Sequence, residues 1–209
     1  MPTPIKLYHI PPSPNSMKAR IALAFKKLPY EKIPVNPTDR SDVVRLSRQP
    51  LTPIMLHGET VVYDSEAILR YLDANFKDTP SLLSENYEEM RSIEQWETFA
   101  RYELRQPVDI VFREFFATKR DPDAPAQASR MLDEMTGCIE DQLIQSPWLV
   151  SDRMTIADVT AAPYVYYGML PREAVESSPV AKFFAQSLRL GKNREKTRGW
   201  VERVMAYDR

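Results

Sequence analysis

Sulfur chemistry is nearly absent from this chain of 209 residues, which carries one cysteine, Cys138. A single thiol excludes an intrachain disulfide and makes a reducing, cytoplasmic compartment the expected one. Histidine is just as scarce. His9 and His57 do not stand at metal-ligand spacing, so no metal site is expected. No apolar run approaches the ~20 residues that span a bilayer. The start, Met1-Pro2-Thr3-Pro4-Ile5-Lys6, has neither the basic opening nor the apolar stretch of a signal peptide. Charge of one sign is missing too: 28 Lys and Arg offset 29 Asp and Glu, for a formal net charge of −1. That balance gives no general attraction to nucleic acid or to an anionic membrane, and neither is expected as a partner. Glycine is rare at five residues against eighteen prolines, and the long charged-apolar periodic segments predict helix over most of the chain.

What is present divides in two. Residues 5–9 read as a strand and 14–27 as a helix. Residues 30–35 read as a short strand and 39–46 as a weak helix. Two strands, 53–56 and 60–63, are joined by His57-Gly58-Glu59. Residues 64–76 then form an amphipathic helix with Ile68, Leu69, Tyr71 and Leu72 on its apolar side. Every later segment reads as helix: 86–119, 123–145, 155–167, and shorter pieces near 180–188 and 195–207. The expected organisation is an α/β domain over 1–77, a linker over 78–87 and an all-α domain over 88–209.

Ser13 precedes Pro14, so it stands at an N-cap with proline at the first helical position. Two readings stay open. The hydroxyl is an ordinary cap, or it donates a hydrogen bond to the thiolate of a bound ligand. A hydrogen bond to a charged group contributes roughly 1.5–3 kcal/mol and a helix dipole about 0.3–1, enough to lower a thiol pKa by roughly one to three units from ~8.5. Ser16, one turn on, is a second candidate, with an exposed first-turn serine as its plainer reading. No cysteine lies nearby, which argues against thiol-disulfide exchange and for activation of a ligand's thiol.

Leu51-Thr52-Pro53-Ile54-Met55-Leu56 places a proline at the head of an apolar strand. Proline has no N–H and sits at strand starts or bulges. The Thr52 backbone is thereby left to pair with something other than the protein. Asp64-Ser65 opens the next helix, whose unpaired N–H groups and positive dipole suit a carboxylate. Together they make a slot for a small extended peptide with an acidic end. A common helix start and a trans edge-strand proline are the plainer readings of the two motifs.

In order along the chain, these motifs resemble the serine-type cytosolic glutathione transferases, with zeta-, tau- and theta-like features. Residues 13–23 resemble the start of that family, a serine followed by a basic-x-Arg pattern. Thr52-Pro53 resembles its cis-proline, Asp64-Ser65 its Glu/Gln-Ser pair, and Thr155-Ile156-Ala157-Asp158, preceded by Trp148-Leu149-Val150, a helix start of its all-helical domain. The resemblance implies an N-terminal thioredoxin-like domain, an all-helical C-terminal domain, a homodimer, and glutathione as cosubstrate. It implies that Ser13 stabilises the thiolate, that Thr52 beside Pro53 pairs with the cysteinyl part, and that Asp64 and Ser65 hold the γ-glutamyl end. The implied reaction is attack of the thiolate on a small, hydrophobic electrophile. A glutathione-dependent isomerase or dehalogenase, and a non-catalytic ligand-binding or scaffold member of the same fold, are the alternatives. Two departures stand out. Leu51 occupies the place where a Lys or Gln meets the glycyl carboxylate, which leaves Arg40, Arg48 or Gln49 for that contact. Asp64 is shorter than the residue usual there.

Trp96, Phe99, Tyr102, Phe112, Phe115 and Phe116 lie at helical spacing, and most of them are expected in the core. Pro107 is expected to kink their helix, free the carbonyl of Glu103 and open a cleft. Tyr102, Arg105, Tyr164 and Tyr167 are the candidates for lining an electrophile pocket. Thr155 and Asp158 read as a structural capping box. Cys138 is expected buried and inert, and Arg189, Lys192, Arg194, Lys196 and Arg198 are expected to form a solvated basic segment.

Overall fold

Four strands form one sheet in the order β2-β1-β3-β4: β1 (Ile5–His9), β2 (Glu31–Pro34), β3 (Ile54–His57) and β4 (Thr60–Tyr63). The computed structural model describes residues 3–208, apart from the side chain of Ser177. Met1 and Pro2, where the expectation about a signal peptide begins, and Arg209 lie outside the described residues. β1 and β2 are parallel, so a crossover must join them, and helix α1 (Pro14–Phe25) is that crossover. β3 pairs antiparallel with both β1 and β4. The turn between β3 and β4 needs a glycine: Gly58 has φ +61, and a Cβ there would lie 2.8 Å from a Thr3 methyl carbon. Helix α2 (Ser41–Ser47) ends on Arg48 in the left-handed region, and helix α3 (Ser65–Asn75) buries Ile68, Leu69 and Leu72.

α1 is buried from Ser16 to Leu23, although Lys18 and Arg20 lie in that span and Lys26 follows it. Each buried cation meets a carboxylate. Lys18 Nζ donates to Glu66 Oε1 at 3.0 Å. Lys26 Nζ donates to Asp73 Oδ1 at 2.9 Å and to the Pro80 carbonyl at 3.0 Å. Arg20 pairs with Asp208. The chain divides into two compact units, one running to Ser84 and taking in the tail from Ala206, the other Glu85–Met205. In the tail, Tyr207 meets Phe25 edge to face, with ring centroids 5.5 Å apart.

The second unit is helical: α4 (Tyr87–Phe99), α5 (Gln106–Phe116), α6 (Ala124–Gln145), α7 (Ile156–Tyr166), α8 (Arg172–Ser177), α9 (Pro179–Ser187) and α10 (Glu195–Met205). No helix among the described residues is long and apolar enough to cross a membrane. α7 is its centre, with every residue from Ile156 to Val165 buried. Its start is the expected capping box. Asp158 Oδ2 accepts from the Thr155 N–H and hydroxyl, while Oδ1 accepts from the Leu149 N–H and the Trp200 indole.

Several expectations are corrected here. The helix expected over 86–119 is interrupted by a π-helical segment, Ala100–Leu104, ahead of Pro107. Proline lacks a donor and crowds the carbonyl four residues back. The widened turn relieves this: Arg105 N–H reaches the Ala100 carbonyl, and the Gln106 side chain donates to the Tyr102 carbonyl. The aromatic row is not core. Phe112 and Phe116 are exposed, Tyr102 is 63% exposed, and Trp96, Phe99 and Phe115 are only half-buried. The buried stripe is instead Ile93, Glu97, Ala100, Leu104, Val108 and Val111, an adjacent face of equal spacing. Cys138 is exposed on α6, donates to the Met135 carbonyl, and is pushed above the ordinary thiol range chiefly by local desolvation. Of the basic segment, Arg189, Lys192 and Lys196 are exposed as expected, whereas Arg194 and Arg198 are half-buried: they bind the backbone of Asp133, Leu190 and Gly191 and hold the loop before α10. Helix α8 was not expected at all.

Asp158→Ala would strand four buried donors, the Leu149 and Thr155 amides, the Thr155 hydroxyl and the Trp200 indole. At about 1–3 kcal/mol for each unsatisfied group, the variant is expected to lose roughly 3 kcal/mol or more of stability. Urea unfolding followed by circular dichroism measures this, and a loss under about 1 kcal/mol would contradict the assigned role.

Candidate functional site

The sheet register brings three of the singled-out segments to one edge. Tyr8 of β1 is paired with Ile54 of β3, and Ile54 with Tyr63 of β4. Because β3 runs against both neighbours, the end of β1, the start of β3 and the end of β4 lie together. The Ser13 loop leaves β1 there, Thr52-Pro53 enters β3 there, and Asp64-Ser65 leaves β4 there. Neighbouring strands lie about 4.8 Å apart, so the row from the first segment to the last spans about 10 Å.

Ser13 is the N-cap of α1, yet its hydroxyl makes no capping hydrogen bond and is half-exposed. The ordinary-cap reading is thereby set aside. Ser16 is different: it is fully buried, and its Oγ accepts the Ile10 N–H at 3.2 Å. That bond ties the loop to the helix, so Ser16 is structural rather than an exposed first-turn serine.

The Thr52-Pro53 bond is cis. Thr52 is half-buried, and neither its N–H nor its carbonyl has a partner among the described residues. The neighbouring loop is internally bonded. Gln49 folds back onto Ser47 and both backbone groups of Leu51, and Arg40 Nε donates to the Pro37 carbonyl. Leu51 points outward, 72% exposed. Arg48 is exposed and its guanidinium has no partner among the described residues.

At the mouth of α3, Asp64 takes φ +71 and its Oδ1 accepts the N–H groups of Glu66 and Ala67. The Ser65 hydroxyl donates to Glu66 Oε2 at 2.9 Å; Ser65 is buried at 4% exposure, and its N–H has no partner among the described residues. Glu66 and Lys18 are the residues that sequence reading missed. Burial works against a charged Glu66, but the Lys18 ammonium and the hydrogen bonds from Asp64, Lys18 and Ser65 prevail and hold its carboxyl well below the usual range. Asp64 goes the other way: desolvation, then its hydrogen bond with and the charge of Glu66, raise it. The signal was available, since Lys18 and Glu66 each stand one turn before apolar residues, Ile21 and Leu69, of a buried stripe.

Behind the Ser13 loop lies a second network. The Arg20 guanidinium grips Asp208 with two hydrogen bonds, Nε to Oδ1 at 2.6 Å and Nη2 to Oδ2 at 2.8 Å. Nη2 also donates to the Pro11 carbonyl at 3.0 Å, and Nη1 lies 3.1 Å from His9 Nδ1. A guanidinium only donates, so Nδ1 accepts and the His9 proton sits on Nε2. That Nε2 is buried and has no hydrogen-bond partner among the described residues. Burial first, then the charges of Arg20 and Lys32, lower the His9 pKa to about 4 against a smaller opposing pull from Asp208.

Two family models match this chain: the glutathione S-transferase N-terminal domain over residues 7–80 and the C-terminal domain over 98–208. The chain belongs to the glutathione S-transferase family. It is 26% identical over 184 residues to glutathione S-transferase U7 of Arabidopsis thaliana, covering 86% of this chain and 78% of that one. Against glutathione S-transferase Z1 of the same plant it is 39% identical over 82 residues, 37% of each chain. Its fold superposes with a TM-score of 0.76 and 21% identity on the glutathione-bound theta class enzyme of Xanthomonas axonopodis pv. citri, covering 99% of this chain and 96% of that one.

The residues expected to line an electrophile pocket in this glutathione S-transferase are not brought together. Tyr164 and Tyr167 are buried at 3% and 4% exposure, and Tyr167 packs on Phe184 at 4.5 Å between ring centroids. They belong to the core of the helical unit, because α7 is buried from Ile156 to Val165 and Tyr167 follows as its C-cap. Tyr102 is exposed on the π-helical segment. Arg105 is exposed, pairs with Asp109 Oδ2 at 2.8 Å, and lines an open hollow of about 480 Å³ with Gln106, Ile110, Phe112 and Arg113. Among the described residues, no group of three or more His, Cys, Asp or Glu is placed to hold a metal ion.

His9 gives a pH signature. Its folded pKa of about 4 lies below its ordinary 6.5, so between these values the unfolded chain binds the extra proton. Stability is therefore full above about pH 6.5 and falls as the pH drops towards 4, by about 3 kcal/mol in total. His9→Gln is expected to remove that part of the slope. Denaturant titrations of both proteins across this window check it, and equal slopes would contradict it.

Proposed function

We propose that the protein is a glutathione transferase in which the first unit ionises the glutathione thiol at Ser13 and presents it to a small, hydrophobic electrophile. One observation carries this reading: a half-exposed hydroxyl at a helix N-terminus, on the sheet edge that also bears the Thr52 backbone and Ser65 N–H, none of these groups having a partner among the described residues. Three extended residues reach about 10 Å, the length of the row from Ser13 to Ser65. The assignment follows that row. Ser13 donates to the thiolate, and the Thr52 N–H and carbonyl pair with the cysteinyl backbone beside Pro53. The Ser65 N–H and the α3 dipole meet the γ-glutamyl carboxylate. The Glu66 carboxylate, with Asp64 at the rim, attracts the γ-glutamyl ammonium. Arg48 takes the glycyl carboxylate in the place where Leu51 has no charge to give.

The chemistry needed from the chain is modest. The thiol loses its proton to solvent, the sulfur lone pair attacks the electrophilic carbon, and the leaving group departs with the bond electrons. The residues supply ionisation and placement. The apolar groups exposed on edge strand β4, Val61 and Tyr63, support a second copy as the partner in a homodimer, and the single cysteine supports a cytoplasmic site of action.

Retention on immobilised glutathione and turnover of an activated aryl halide are expected of the wild type. Ser13→Ala is expected to raise the pKa of the bound thiol by roughly one to three units, read from thiolate absorbance. An unmoved titration would refute the role of Ser13, and absence of both retention and turnover would favour a scaffold. Arg48→Ala is expected to raise KM for glutathione about tenfold while kcat holds, since it removes an exposed charged contact from binding alone. An unchanged KM would take the glycyl contact away from Arg48.

A further inference from the structure

We propose that Arg20 and Asp208 are positioning residues for the thiolate site: Asp208 fixes the Arg20 guanidinium, which holds the Pro11 carbonyl and so sets where Ser13 stands. The inference rests on the glutathione reading above and extends it to residues that touch neither thiol nor substrate.

The Ser13 loop is short of backbone donors, because Pro11, Pro12 and Pro14 have no N–H. Its remaining amides are already used: Ile10 N–H goes to Ser16 Oγ and Ser13 N–H to the Ile10 carbonyl. The Pro11 carbonyl, two residues before Ser13, is held by Arg20 Nη2. Arg20 lies two turns into α1, so its head must reach back past its own helix to do this. A long guanidinium side chain loses considerable rotamer freedom when so held. Asp208 supplies the constraint with a bidentate pair, and both side chains are largely out of solvent at 7% and 13% exposure. His9 Nδ1 accepts the third edge of the guanidinium. Four segments thus meet on one cation: the end of β1, the Ser13 loop, α1 and the tail after α10. Ser13 acts through a hydrogen bond, whose strength falls steeply with distance and angle. A loop that loses its grip at Pro11 lets the hydroxyl drift from the sulfur while Thr52 and Ser65 still bind the peptide.

The test compares wild type, Asp208→Ala, Asp208→Glu, Tyr207→Ala and Ser13→Ala in the full chain, with glutathione and an activated aryl chloride as probes. Asp208→Ala is expected to raise the thiolate midpoint by about one pH unit and lower kcat about tenfold, with KM for glutathione within about twofold. Asp208→Glu is expected to restore the midpoint. Tyr207→Ala removes the tail's contact with Phe25 but not the carboxylate, so it is expected to lower the melting temperature and leave the midpoint in place. If Asp208→Ala is not recovered folded, Asp208→Asn is judged by the same criteria. A wild-type midpoint and kcat in the Asp208 variant, whatever its melting temperature, would overturn the proposal. A midpoint that moves in Ser13→Ala but not in Asp208→Ala removes this inference alone. A wild type with no thiolate signal removes the glutathione reading and this one together.

Discussion

Burying a cation costs several kcal/mol unless a carboxylate and further hydrogen bonds receive it, and α1 with its C-cap buries three: Lys18, Arg20 and the C-cap Lys26. α1 can therefore sit in the first unit only where acids meet it. Lys18 and Lys26 face Glu66 and Asp73 of α3, each pair about two helical turns apart, and Arg20 faces Asp208 of the tail. Removing one partner of such a pair leaves an uncompensated charge worth about 3–5 kcal/mol. The slide of α1 against α3 is fixed by these matches, and with it the relation between the two helix mouths. One mouth carries Ser13, the other Asp64 and Ser65.

The candidate site is built from groups the fold leaves unpaired. Most polar groups in a folded chain find partners, and those at a solvated sheet edge stay available at little cost. The Ser13 hydroxyl and the Thr52 backbone are of this kind, and the N–H of the buried Ser65 likewise has no partner among the described residues. The groups just behind them are engaged, His9 Nε2 excepted: Ser16 with Ile10, the Ser65 hydroxyl and Lys18 with Glu66, Arg20 with Pro11 and Asp208. A rigid, largely satisfied layer under an open, unsatisfied one is what holding a flexible peptide in one pose requires.

Local chemistry was legible wherever one residue type has one physical consequence. Pro14 started α1, Gly58 turned the hairpin, and Thr155 with Asp158 capped α7. Periodicity was legible as helix but not as burial. The stripe Trp96, Phe99, Tyr102 and the stripe Ile93, Glu97, Ala100, Leu104 share one spacing, and the second faces inward. Size misled there, and charge misled in the other direction: Lys18 and Glu66 look like surface residues and enclose each other across 48 positions of sequence, and Arg194 is half-buried against Asp133. Pro107 was rightly seen as a disturbance, but the chain absorbed it in a widened turn ahead of the ring.

The sequence by itself determined most of the elements, α8 and the π-helical break excepted, their order, and the family to which that order belongs, because turns, caps and prolines act within a few residues. It determined Ser13, Thr52 and Ser65 as residues worth attention for the same reason. Only tertiary structure decided that these lie on one edge, since that depends on β3 running against both β1 and β4. Only tertiary structure decided which hydroxyl is engaged and which is open, which tyrosines are enclosed, and that a carboxylate 188 residues away secures Arg20. Such matches come from long-range packing, which no local pattern encodes.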